Sequence, residues 1–511
     1  MLSIVKSMSL HGLDGYLVNI QVDVSGGLPS CDIVGLPDAS VKESKERVRT
    51  AIKNTGIDLK SRKIVINLAP ANTRKEGALY DLPIAIAILI ANEEISNLDI
   101  SDTVFIGELS LNGKINKVNG IFPMCLEASK LGIKKAIIPK ENEKEASIVK
   151  ELEVIGVESL EEVINILEGR ITAKKTESRI EDFINENIKY KFDFADVKGQ
   201  ESIKRALEVA AAGGHNCLLI GSPGSGKTMM SSCLPSILPD LTFEEALEIT
   251  KIHSVNGLLP QDKPLIATRP FRAPHHTISG ASLIGGGRIP KPGEISLAHY
   301  GVLFLDELPE FPNNILELLR VPLEDKIINI NRVNASLTYP CNFMMVASMN
   351  PCPCGYYGSK DKECICGEKA INRYMGKVSG PLLDRIDIHI EVEAVKYQKL
   401  DSSERGETSE EIKERVNKAR KIQQERYSKY GIYSNAELTP GLIDSFCKLN
   451  NKCKEILEQS FERLGLSARA YGRILKVART IADLDKKENI EVKHLAEAIQ
   501  YRSLDKKYWK N

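Results

Sequence analysis

The sequence predicts an α/β protein of three domains, and three observations support this prediction. The chain has 511 residues, which corresponds to about three domains at about 150 residues each. Short apolar segments rich in Val, Ile and Leu alternate with helix-like segments along most of the chain, as in mixed α/β folds. A phosphate-loop pattern, GSPGSGKT, lies between a strand-like and a helix-like segment, the context that this motif requires.

Composition excludes several classes of protein. Hydrophobic residues make up 42% and charged residues 27%, which argues against a disordered or collagen-like chain. The 69 basic and 69 acidic side chains balance, so the chain is not uniformly basic, although a local basic patch remains compatible with a neutral total. Eleven cysteines are too few for a disulfide-stapled secreted scaffold.

The chain also lacks targeting and membrane signals. Its first residues show no apolar core between a basic head and a cleavage site, so no signal peptide is predicted. The longest apolar run, Leu82 to Ala91, is much shorter than the about 20 residues of a membrane span. We therefore expect a reduced, cytoplasmic protein with no membrane partner.

The first domain is predicted over residues 1–170. Its strand-like segments include YLVNIQVDV, KIVINLA, TVFIGEL and KAIIP, and helix-like segments separate them, so we expect one α/β domain. Residues 171–192 are dense in charge and poor in apolar periodicity. They are therefore predicted to form a linker with at most one short helix.

Residues 193–395 form the second predicted domain and 396–511 the third. In the second, NCLLIG, GVLFLDE and FMMVASMN are apolar segments that end in polar residues, as expected of buried parallel strands whose carboxyl ends carry the chemistry. In the third, RILKVARTIADL and VKHLAEAIQYR space apolar residues by three and four. This spacing predicts a helical domain.

The phosphate-loop pattern predicts a nucleotide site. Its glycines allow backbone N–H groups to face the phosphates, Lys227 reaches the β and γ oxygens, and Thr228 can bind Mg²⁺. The alternative is a glycine-rich turn without a ligand, which the strand before and the helix after the pattern disfavour. The residues predicted to bind nucleotide here are Gly221, Ser222, Pro223, Gly224, Ser225, Gly226, Lys227 and Thr228.

Three polar residues at strand ends are predicted to complete the site. Asp306 and Glu307 follow an apolar strand, where Asp306 would hold Mg²⁺ and Glu307 would act as the base for water. Asn350 ends the next such strand and could orient the attacking water. The alternatives are solvated carboxylates and a turn-forming Asn. Together with the phosphate loop, these residues predict ATP hydrolysis.

Arginines later in the chain are candidates for the γ-phosphate. Arg385 lies in SGPLLDRIDI, and Arg469 and Arg473 lie in LSARAYGRILKVART. A guanidinium that meets the γ-phosphate in cis or in trans greatly accelerates phosphoryl transfer. The alternative is a surface or ion-pair role for each of them.

Four cysteines are clustered shortly after Asn350. Cys352, Cys354, Cys364 and Cys366 form C-P-C and C-I-C pairs, and four thiols from two tight turns predict a tetrahedral Zn²⁺ site. Such a site would be structural, because four thiolates leave no open position. The spacing is C-x-C instead of the commoner C-x-x-C, and free loop cysteines are the alternative.

A glycine-rich segment between the nucleotide motifs carries a local basic excess. From Thr268 to Tyr300 it has four basic residues against one carboxylate, Glu294. Basic side chains on such loops can follow a phosphate backbone without reading sequence, and Arg272, Arg288 and Lys291 are the predicted DNA contacts. The alternative is a loop packed between subunits. The three histidines of the segment are expected to be hydrogen-bonded and not metal ligands.

These motifs resemble those of AAA+ ATPases. Gly221–Thr228 resembles Walker A, Leu303–Glu307 Walker B, Asn350 sensor 1, Arg385 the arginine finger and Arg469 sensor 2. The flanking segments RPFRAPHHTISGASLIGGG, LFLDELPEF, NPCPCGYYG and SGPLLDRIDIHIEV narrow the resemblance to the YifB/ComM family of magnesium-chelatase-like AAA+ ATPases. The resemblance implies ATP and Mg²⁺ as ligands and a homo-hexameric ring in which Arg385 acts in trans.

Residues 1–170 resemble the proteolytic domain of Lon, a ribosomal-S5-like fold also found in the RadA family. Lon proteases use a Ser–Lys dyad. Leu79, within KEGALYD, and Phe122, within NGIF, occupy the corresponding positions here. Neither side chain supplies a nucleophile or a base, so we expect no peptidase activity. The domain could instead serve oligomerisation or DNA contact.

Three hypotheses for function follow from this sequence. The main one is an ATP-driven ring motor on single-stranded or branched DNA, with the ComM-like helicase activity in branch migration and natural transformation that the resemblance implies. The second is a chelatase-type ATPase that remodels a partner protein. The third is an ATP-dependent Lon-like protease, which Leu79 and Phe122 disfavour.

Overall fold

The computed structural model describes most of the chain and divides it into two compact units. Unit 1 comprises Met1–Glu186 and Phe243–Ala267, and unit 2 comprises Asn187–Thr242 and Thr268–Asn511. The described ranges are 2–60, 62–95, 99–176, 190–260, 263–287, 290–332, 335–359, 362–394 and 406–509. Outside the described residues lie most of the predicted linker 171–192, the residues around the predicted domain start at 396, and Arg288.

Unit 1 is built on a mixed β-sheet. Its strands are β1 Leu2–His11, β2 Asp14–Ser25, β3 Ser30–Val34, β4 Lys63–Ala69, β5 Thr103–Phe105, β6 Glu108–Leu109, β7 Ile115–Asn116, β8 Lys135–Pro139 and β9 Glu153–Val157. Among the described residues, seven of them form one sheet in the order β3-β4-β2-β1-β5-β8-β9. Alternate residues of β2, from Val18 to Val24, are buried, as the two-residue period of a strand requires.

Helices cover the apolar face of this sheet. The apolar run Leu82 to Ala91 lies in a helix that is buried on nearly all sides, so the run forms part of the core. The helix Ala39–Asn54 begins at Asp38, whose side chain accepts from the Val41 N–H at 2.8 Å, a stabilising N-cap. The helices of unit 1 are Ala39–Asn54, Asp81–Ala91, Ile121–Lys130, Glu143–Ala146, Leu160–Leu167 and Phe243–Val255.

The last of these helices comes from the middle of the second predicted domain. The segment Phe243–Ala267 packs within unit 1, where Ser254 O accepts from the Gly120 N–H at 3.0 Å. The hydroxyl of Ser254 also donates to the buried carboxylate of Glu145. The sequence has no local signal for this exchange, because the helix looks like any other amphipathic segment.

Unit 2 contains a parallel sheet that is buried on both faces. Its strands are β10 Cys217–Gly221, β11 Phe271–Arg272, β12 Gly285–Gly286, β13 Lys291–Pro292, β14 Val302–Leu305, β15 Ile327–Arg332, β16 Ala335–Pro340, β17 Met344–Met349 and β18 Ile388–Val392. The five-stranded sheet has the order β11-β14-β17-β10-β18 among the described residues, and all its pairs are parallel. Every residue of β10, β14 and β17 is buried. The predicted parallel sheet is therefore confirmed.

Two short antiparallel hairpins, β12–β13 and β15–β16, extend from unit 2, and the chain is helical from Ser409 onward, which confirms the predicted C-terminal helical region. No helix in the described ranges is both long and apolar enough to cross a membrane. The helices of unit 2 are Glu201–Gly213, Lys227–Cys233, Gly280–Ile284, Glu294–Leu297, Asn313–Leu318, Arg320–Asp325, Glu368–Met375, Gly380–Leu383, Ser409–Tyr427, Pro440–Phe446, Asn451–Leu464, Ala468–Leu484, Val492–Gln500 and Leu504–Tyr508.

A buried ionic cluster joins the C-terminal helices. Asp483 Oδ2 accepts from Arg426 Nη1 at 3.0 Å and from Asn435 Nδ2 at 2.9 Å. Its Oδ1 accepts from Arg479 Nε at 3.2 Å, and Arg479 is almost fully buried. One carboxylate therefore compensates two guanidinium groups on two different helices.

Replacing the shared carboxylate should destabilise unit 2. In Asp483→Asn both arginines lose their counter-charge, and breaking a buried ion pair on one side costs about 3 kcal/mol or more. Urea unfolding should show this loss, whereas Glu462→Gln, at an exposed position of the helix Asn451–Leu464, should unfold as the wild type does. Equal stability of the two variants would contradict a stabilising role for the cluster.

Candidate nucleotide-binding site

Strand register brings the predicted nucleotide residues to one edge of the parallel sheet. β17 lies between β10 and β14, with Ile220 opposite Met349 and Leu305 opposite Ala347. The phosphate loop follows β10 directly, and Asn350 follows β17 at the level of Gly221. Asp306 follows β14 at the level of Ser348, whose hydroxyl donates to its carboxylate. The carboxyl ends of these three strands thus form one polar surface.

Lys227 is held at the centre of this surface. Its Nζ donates to the carbonyl oxygens of Gly221 at 2.7 Å and Ser222 at 2.9 Å, and to Asn350 Oδ1 at 3.2 Å. Burial lowers the pKa of Lys227, while the carboxylates of Asp306 and Glu307 oppose that shift. The structure therefore places Asn350 next to the lysine of the phosphate loop.

The phosphate loop needs its glycines for shape and for close approach. Gly224 and Gly226 adopt positive φ angles of 74° and 88°, a region that L side chains rarely occupy. A Cβ at Gly221 would lie 2.4 Å from the carbonyl oxygen of Val392 on β18. These positions account for glycine in the pattern before any ligand is considered.

Thr228 and Asp306 form a pair of oxygen ligands suited to Mg²⁺. Thr228 Oγ1 donates to Asp306 Oδ2 at 2.9 Å, so a hydroxyl from the first turn of the helix Lys227–Cys233 meets a carboxylate from the end of β14. Hard oxygen donors of this kind are what Mg²⁺ prefers. The residues present thus fit a magnesium ion bridged to nucleotide phosphates.

Glu307 has a strained backbone and an exposed side chain. Its φ is +54°, an unusual value for a residue with a side chain, and its N–H donates to Asp306 Oδ1 at 3.1 Å. Backbone strain of this type is concentrated at functional sites. The conformation separates the two neighbouring carboxylates, since Asp306 faces Thr228 while Glu307 faces solvent.

Arg385 lies at the opposite edge of the same sheet. β10 and β18 are parallel, with Cys217 opposite Ile388 and Gly221 opposite Val392, so Arg385 precedes β18 whereas the phosphate loop follows β10. Four residue steps of about 3.3 Å separate the two edges by about 13 Å. The Arg385 guanidinium is mostly buried, donates to Pro381 O at 2.7 Å and pairs with Glu324.

Arg469 and Arg473 lie near Arg385. Arg469 Nη1 is 3.9 Å from Asp384 Oδ2, and its side chain is 60% exposed. Arg473 donates to Arg385 O at 3.1 Å and to the carboxylate of Asp387. The helix Ala468–Leu484 thus brings both arginines to the amino edge of the sheet, away from the phosphate loop of their own chain.

A buried polar network fixes this amino edge. Asp387 Oδ2 accepts from the Asn216 N–H at 2.9 Å, and Asn216 Nδ2 donates to Arg385 O at 3.0 Å. Burial would raise the pKa of Asp387, but Arg473 and His215 hold it far below its usual value. An ionised carboxylate therefore anchors the segment that carries Arg385.

The four cysteine sulfurs converge as the sequence predicts. The Sγ atoms of Cys352, Cys354, Cys364 and Cys366 all lie within 4.8 Å of one another. Cys352 Sγ is 3.4 Å from Cys354 Sγ and 3.6 Å from Cys364 Sγ. Although burial acts against it, hydrogen bonds from the backbone of Tyr356 and the Cys352 thiol lower the pKa of Cys354 to about 6. This geometry is suited to a tetrahedral metal ion.

The predicted DNA contacts differ in how free their charges are. Arg272 forms a bidentate pair with Glu294, with distances of 2.6 and 2.7 Å, so the only carboxylate of the basic segment neutralises it. Lys291 is exposed on β13, next to the hairpin tip. Arg269, the remaining described basic residue of the segment, donates to the carbonyl oxygens of Pro239 and Tyr300, both at 2.7 Å.

A second hairpin beside the first was missed by sequence reasoning. β15–β16 packs on β12–β13, because Tyr339 Oη donates to Pro290 O at 2.8 Å and a Cβ at Gly286 would lie 3.2 Å from Arg332 Nη2. Arg332 is exposed at the end of β15. The alternation in IININR was a signal for a strand that the analysis did not use.

The two Lon-dyad positions of unit 1 carry apolar side chains in apolar surroundings. Phe122 is fully buried and Leu79 is partly buried against the core. The Phe122 N–H donates to Glu145 Oε1 at 3.0 Å. These contacts stabilise the fold and offer no nucleophile for peptide hydrolysis.

Comparison with known families accounts for most of the chain. The family "Magnesium chelatase, subunit ChlI" matches residues 193–400. "Subunit ChlI of Mg-chelatase" matches residues 20–142, and "Magnesium chelatase, subunit ChlI C-terminal" matches residues 406–502.

Relatives extend the similarity over the full length. Competence protein ComM of Haemophilus influenzae is 44% identical over 98% of both chains, and YifB of Escherichia coli is 43% identical over 99% of this chain and 98% of its own. Lon protease 2 of Bacillus subtilis is 29% identical over 32% of each chain, which fits the predicted Lon-like fold. The chain therefore belongs to the YifB/ComM family of magnesium-chelatase-like AAA+ ATPases.

Proposed function

We propose that this protein is an ATP-driven ring motor that acts on DNA, a ComM-like helicase that promotes branch migration. ATP and Mg²⁺ follow from its membership of an AAA+ ATPase family. The observation that carries the proposal is the split of the hydrolytic residues between two edges of one sheet. The phosphate loop and Asp306 lie at the carboxyl edge, whereas Arg385 lies at the amino edge.

Each residue of the carboxyl edge has a proposed role in hydrolysis. Lys227 would bind the β and γ phosphates, and Thr228 with Asp306 would hold Mg²⁺, which neutralises charge on the phosphate oxygens. Glu307 would accept a proton from the attacking water, since its carboxylate is exposed beside Asp306. Asn350 would orient that water, because its amide lies against Lys227.

The arginines are proposed to serve a neighbouring subunit. The about 13 Å between the sheet edges keeps Arg385 from the phosphates of its own chain. In a closed homo-hexameric ring of identical interfaces, the amino edge of one subunit can face the carboxyl edge of the next. Arg469 shares that edge, so we propose that it also acts in trans. Arg385 would exchange Glu324 for the γ-phosphate on assembly.

The paired hairpins are the proposed DNA contacts. Lys291 and Arg332 are exposed near the tips of two hairpins that pack on each other, and Arg288 belongs to the same proposed surface. Arg272 would support the hairpin base through Glu294 while binding DNA less directly than predicted. Basic side chains at loop tips can grip a phosphate backbone of any sequence.

Further features of the proposal concern the remaining parts of the chain. The proposed domains are 1–170, the linker 171–192, 193–395 and 396–511, and the Lon-like domain would serve oligomerisation or DNA contact. A structural Zn²⁺ is proposed on the four clustered cysteines. The proposed location is the cytoplasm, and competence for DNA uptake is the proposed context, because ComM of Haemophilus influenzae is named a competence protein.

A second candidate is a chelatase-type ATPase that remodels a partner protein. The match of residues 193–400 to a magnesium chelatase subunit favours it. It predicts an ATPase that DNA leaves unchanged and a nucleotide-dependent complex with another protein.

Two substitutions should separate nucleotide binding from hydrolysis. Lys227→Ala should abolish ATP binding, because it removes the cation that contacts the phosphates. Glu307→Gln should bind ATP normally but hydrolyse it at least about 100-fold more slowly, as expected for loss of a general base. Equilibrium binding of a fluorescent ATP analogue and phosphate release measure the two effects. Turnover by Lys227→Ala would refute the assignment of the phosphate loop.

The in-trans role of Arg385 has a direct test. Arg385→Ala should bind ATP but lose about 1,000-fold in hydrolysis, the scale of an arginine finger. Mixing it with Glu307→Gln subunits should restore part of the activity, because each partner supplies what the other lacks. Arg320→Ala, which removes an arginine paired with Glu317 at a partly exposed site, is the control. No recovery in rings shown to be mixed would contradict a shared site.

DNA dependence distinguishes the motor from the chelatase-type candidate. Forked, single-stranded or four-way DNA should raise the ATPase rate and bind to the ring. Lys291→Ala with Arg332→Ala should weaken binding and lower its salt dependence by about 0.7 per lost single-strand contact. Lys421→Ala, at an exposed site of the helix Ser409–Tyr427, should change neither. A wild-type ATPase that ignores all three DNAs would refute the DNA motor.

A further inference from the structure

The four-cysteine cluster has the dimensions of an occupied zinc site. A tetrahedral Zn²⁺ with Zn–S bonds of about 2.3 Å separates its sulfurs by about 3.8 Å. The sulfurs of Cys352, Cys354 and Cys364 are separated by 3.4 to 3.6 Å, and Cys366 lies within the same 4.8 Å set. Thiols with no ion between them have no reason to adopt this spacing.

Backbone groups support the sulfurs. The Tyr357 N–H donates to Cys352 Sγ at 3.3 Å, and the turn around the first pair is closed by a hydrogen bond from the Gly355 N–H to Cys352 O at 2.9 Å. Hydrogen bonds to metal ligands orient them and tune their affinity. Cys352 is fully buried, so this side of the cluster is shielded from water.

The cluster lies directly against the phosphate loop. Gly355 has a φ of +83°, and a Cβ added there would lie 2.3 Å from Cδ and 2.7 Å from Cγ of Pro223. The turn between Cys354 and Tyr356 therefore packs on the ring of a phosphate-loop residue. Any side chain at position 355 would push the two loops apart.

Two further contacts connect the same segment to the nucleotide site. Asn350, two residues before Cys352, accepts from Lys227 Nζ at 3.2 Å. On the other side of the cluster, the helix Glu368–Met375 carries Tyr374, whose hydroxyl hydrogen bonds to the backbone of Asn350. The segment from Asn350 to Met375 thus meets the site at Lys227 and at Pro223, and the cysteines join its two ends.

We propose that Zn²⁺ on Cys352, Cys354, Cys364 and Cys366 holds this segment against the phosphate loop, so that affinity for nucleotide depends on the bound metal. The inference rests on the proposed function insofar as ATP is the ligand. Four thiolates saturate the ion, so its effect on ATP passes through the Gly355–Pro223 contact and the position of Asn350.

The first test measures metal and nucleotide on the full-length protein. Purified wild-type protein should contain one Zn²⁺ per chain, and Cys364→Ser and Cys366→Ser should lose it. Affinity for a non-hydrolysable fluorescent ATP analogue should fall at least about 10-fold in these variants and after removal of zinc by a chelator, and re-added Zn²⁺ should restore it to the stripped wild type. Cys31→Ser, which changes a cysteine of unit 1, should keep both metal and affinity.

A second variant separates the clamp from simple unfolding. Gly355→Ala keeps all four ligands, so it should retain one Zn²⁺ and an unchanged thermal midpoint for unit 2 while its nucleotide affinity falls. Gly380→Ala, at a position where a Cβ meets no atom within 4 Å, is the matched control. A wild type without zinc even after Zn²⁺ supplementation, or one whose affinity survives chelation, would overturn this inference alone. Failure of zinc-loaded wild type to bind any ATP would overturn it together with the proposed function.

Discussion

The parallel pairing of β10, β14 and β17 is the constraint on which the rest of the nucleotide site depends. Because neighbouring parallel strands end at the same edge, residues far apart in sequence arrive together, and the register decides which of them meet. Asp306 meets Thr228 at 2.9 Å, and Asn350 meets Lys227 at 3.2 Å. A slip of one residue in β17 would turn its side chains to the opposite face and separate these pairs. The sheet therefore acts as the template for the chemistry.

The same sheet separates the two halves of the hydrolytic machinery. Its amino edge is held by a buried network in which Asp387 joins β10 and β18 to the helix Ala468–Leu484. A buried carboxylate is tolerated there because Arg473 and backbone N–H groups compensate its charge. The network orients the segment of Arg385 toward a surface that its own phosphate loop does not share. A site completed only by a second copy follows naturally from this arrangement.

The contacts around the phosphate loop show how one domain connects several activities. On one side, the cysteine segment touches Pro223 and Lys227. Elsewhere in unit 2, two hairpins with exposed Lys291 and Arg332 pack on each other. In unit 1, the Lon-like fold keeps its core but fills the dyad positions with Leu79 and Phe122. The fold is thus retained where packing maintains it, although the chemistry of the related proteases is absent from these positions.

Local patterns in the sequence determined the elements and the chemistry of this protein. Its apolar strands, the glycines and Lys227 of the phosphate loop, and the spacing of four cysteines are short-range features that follow from local physical chemistry. The tertiary structure alone decided the rest. It placed the segment Phe243–Ala267 in unit 1, neutralised Arg272 with Glu294, paired the two hairpins, and put Gly355 on Pro223. The reason is physical: these outcomes depend on the packing of segments distant in sequence, and no local pattern specifies which apolar face or which charge will be its partner.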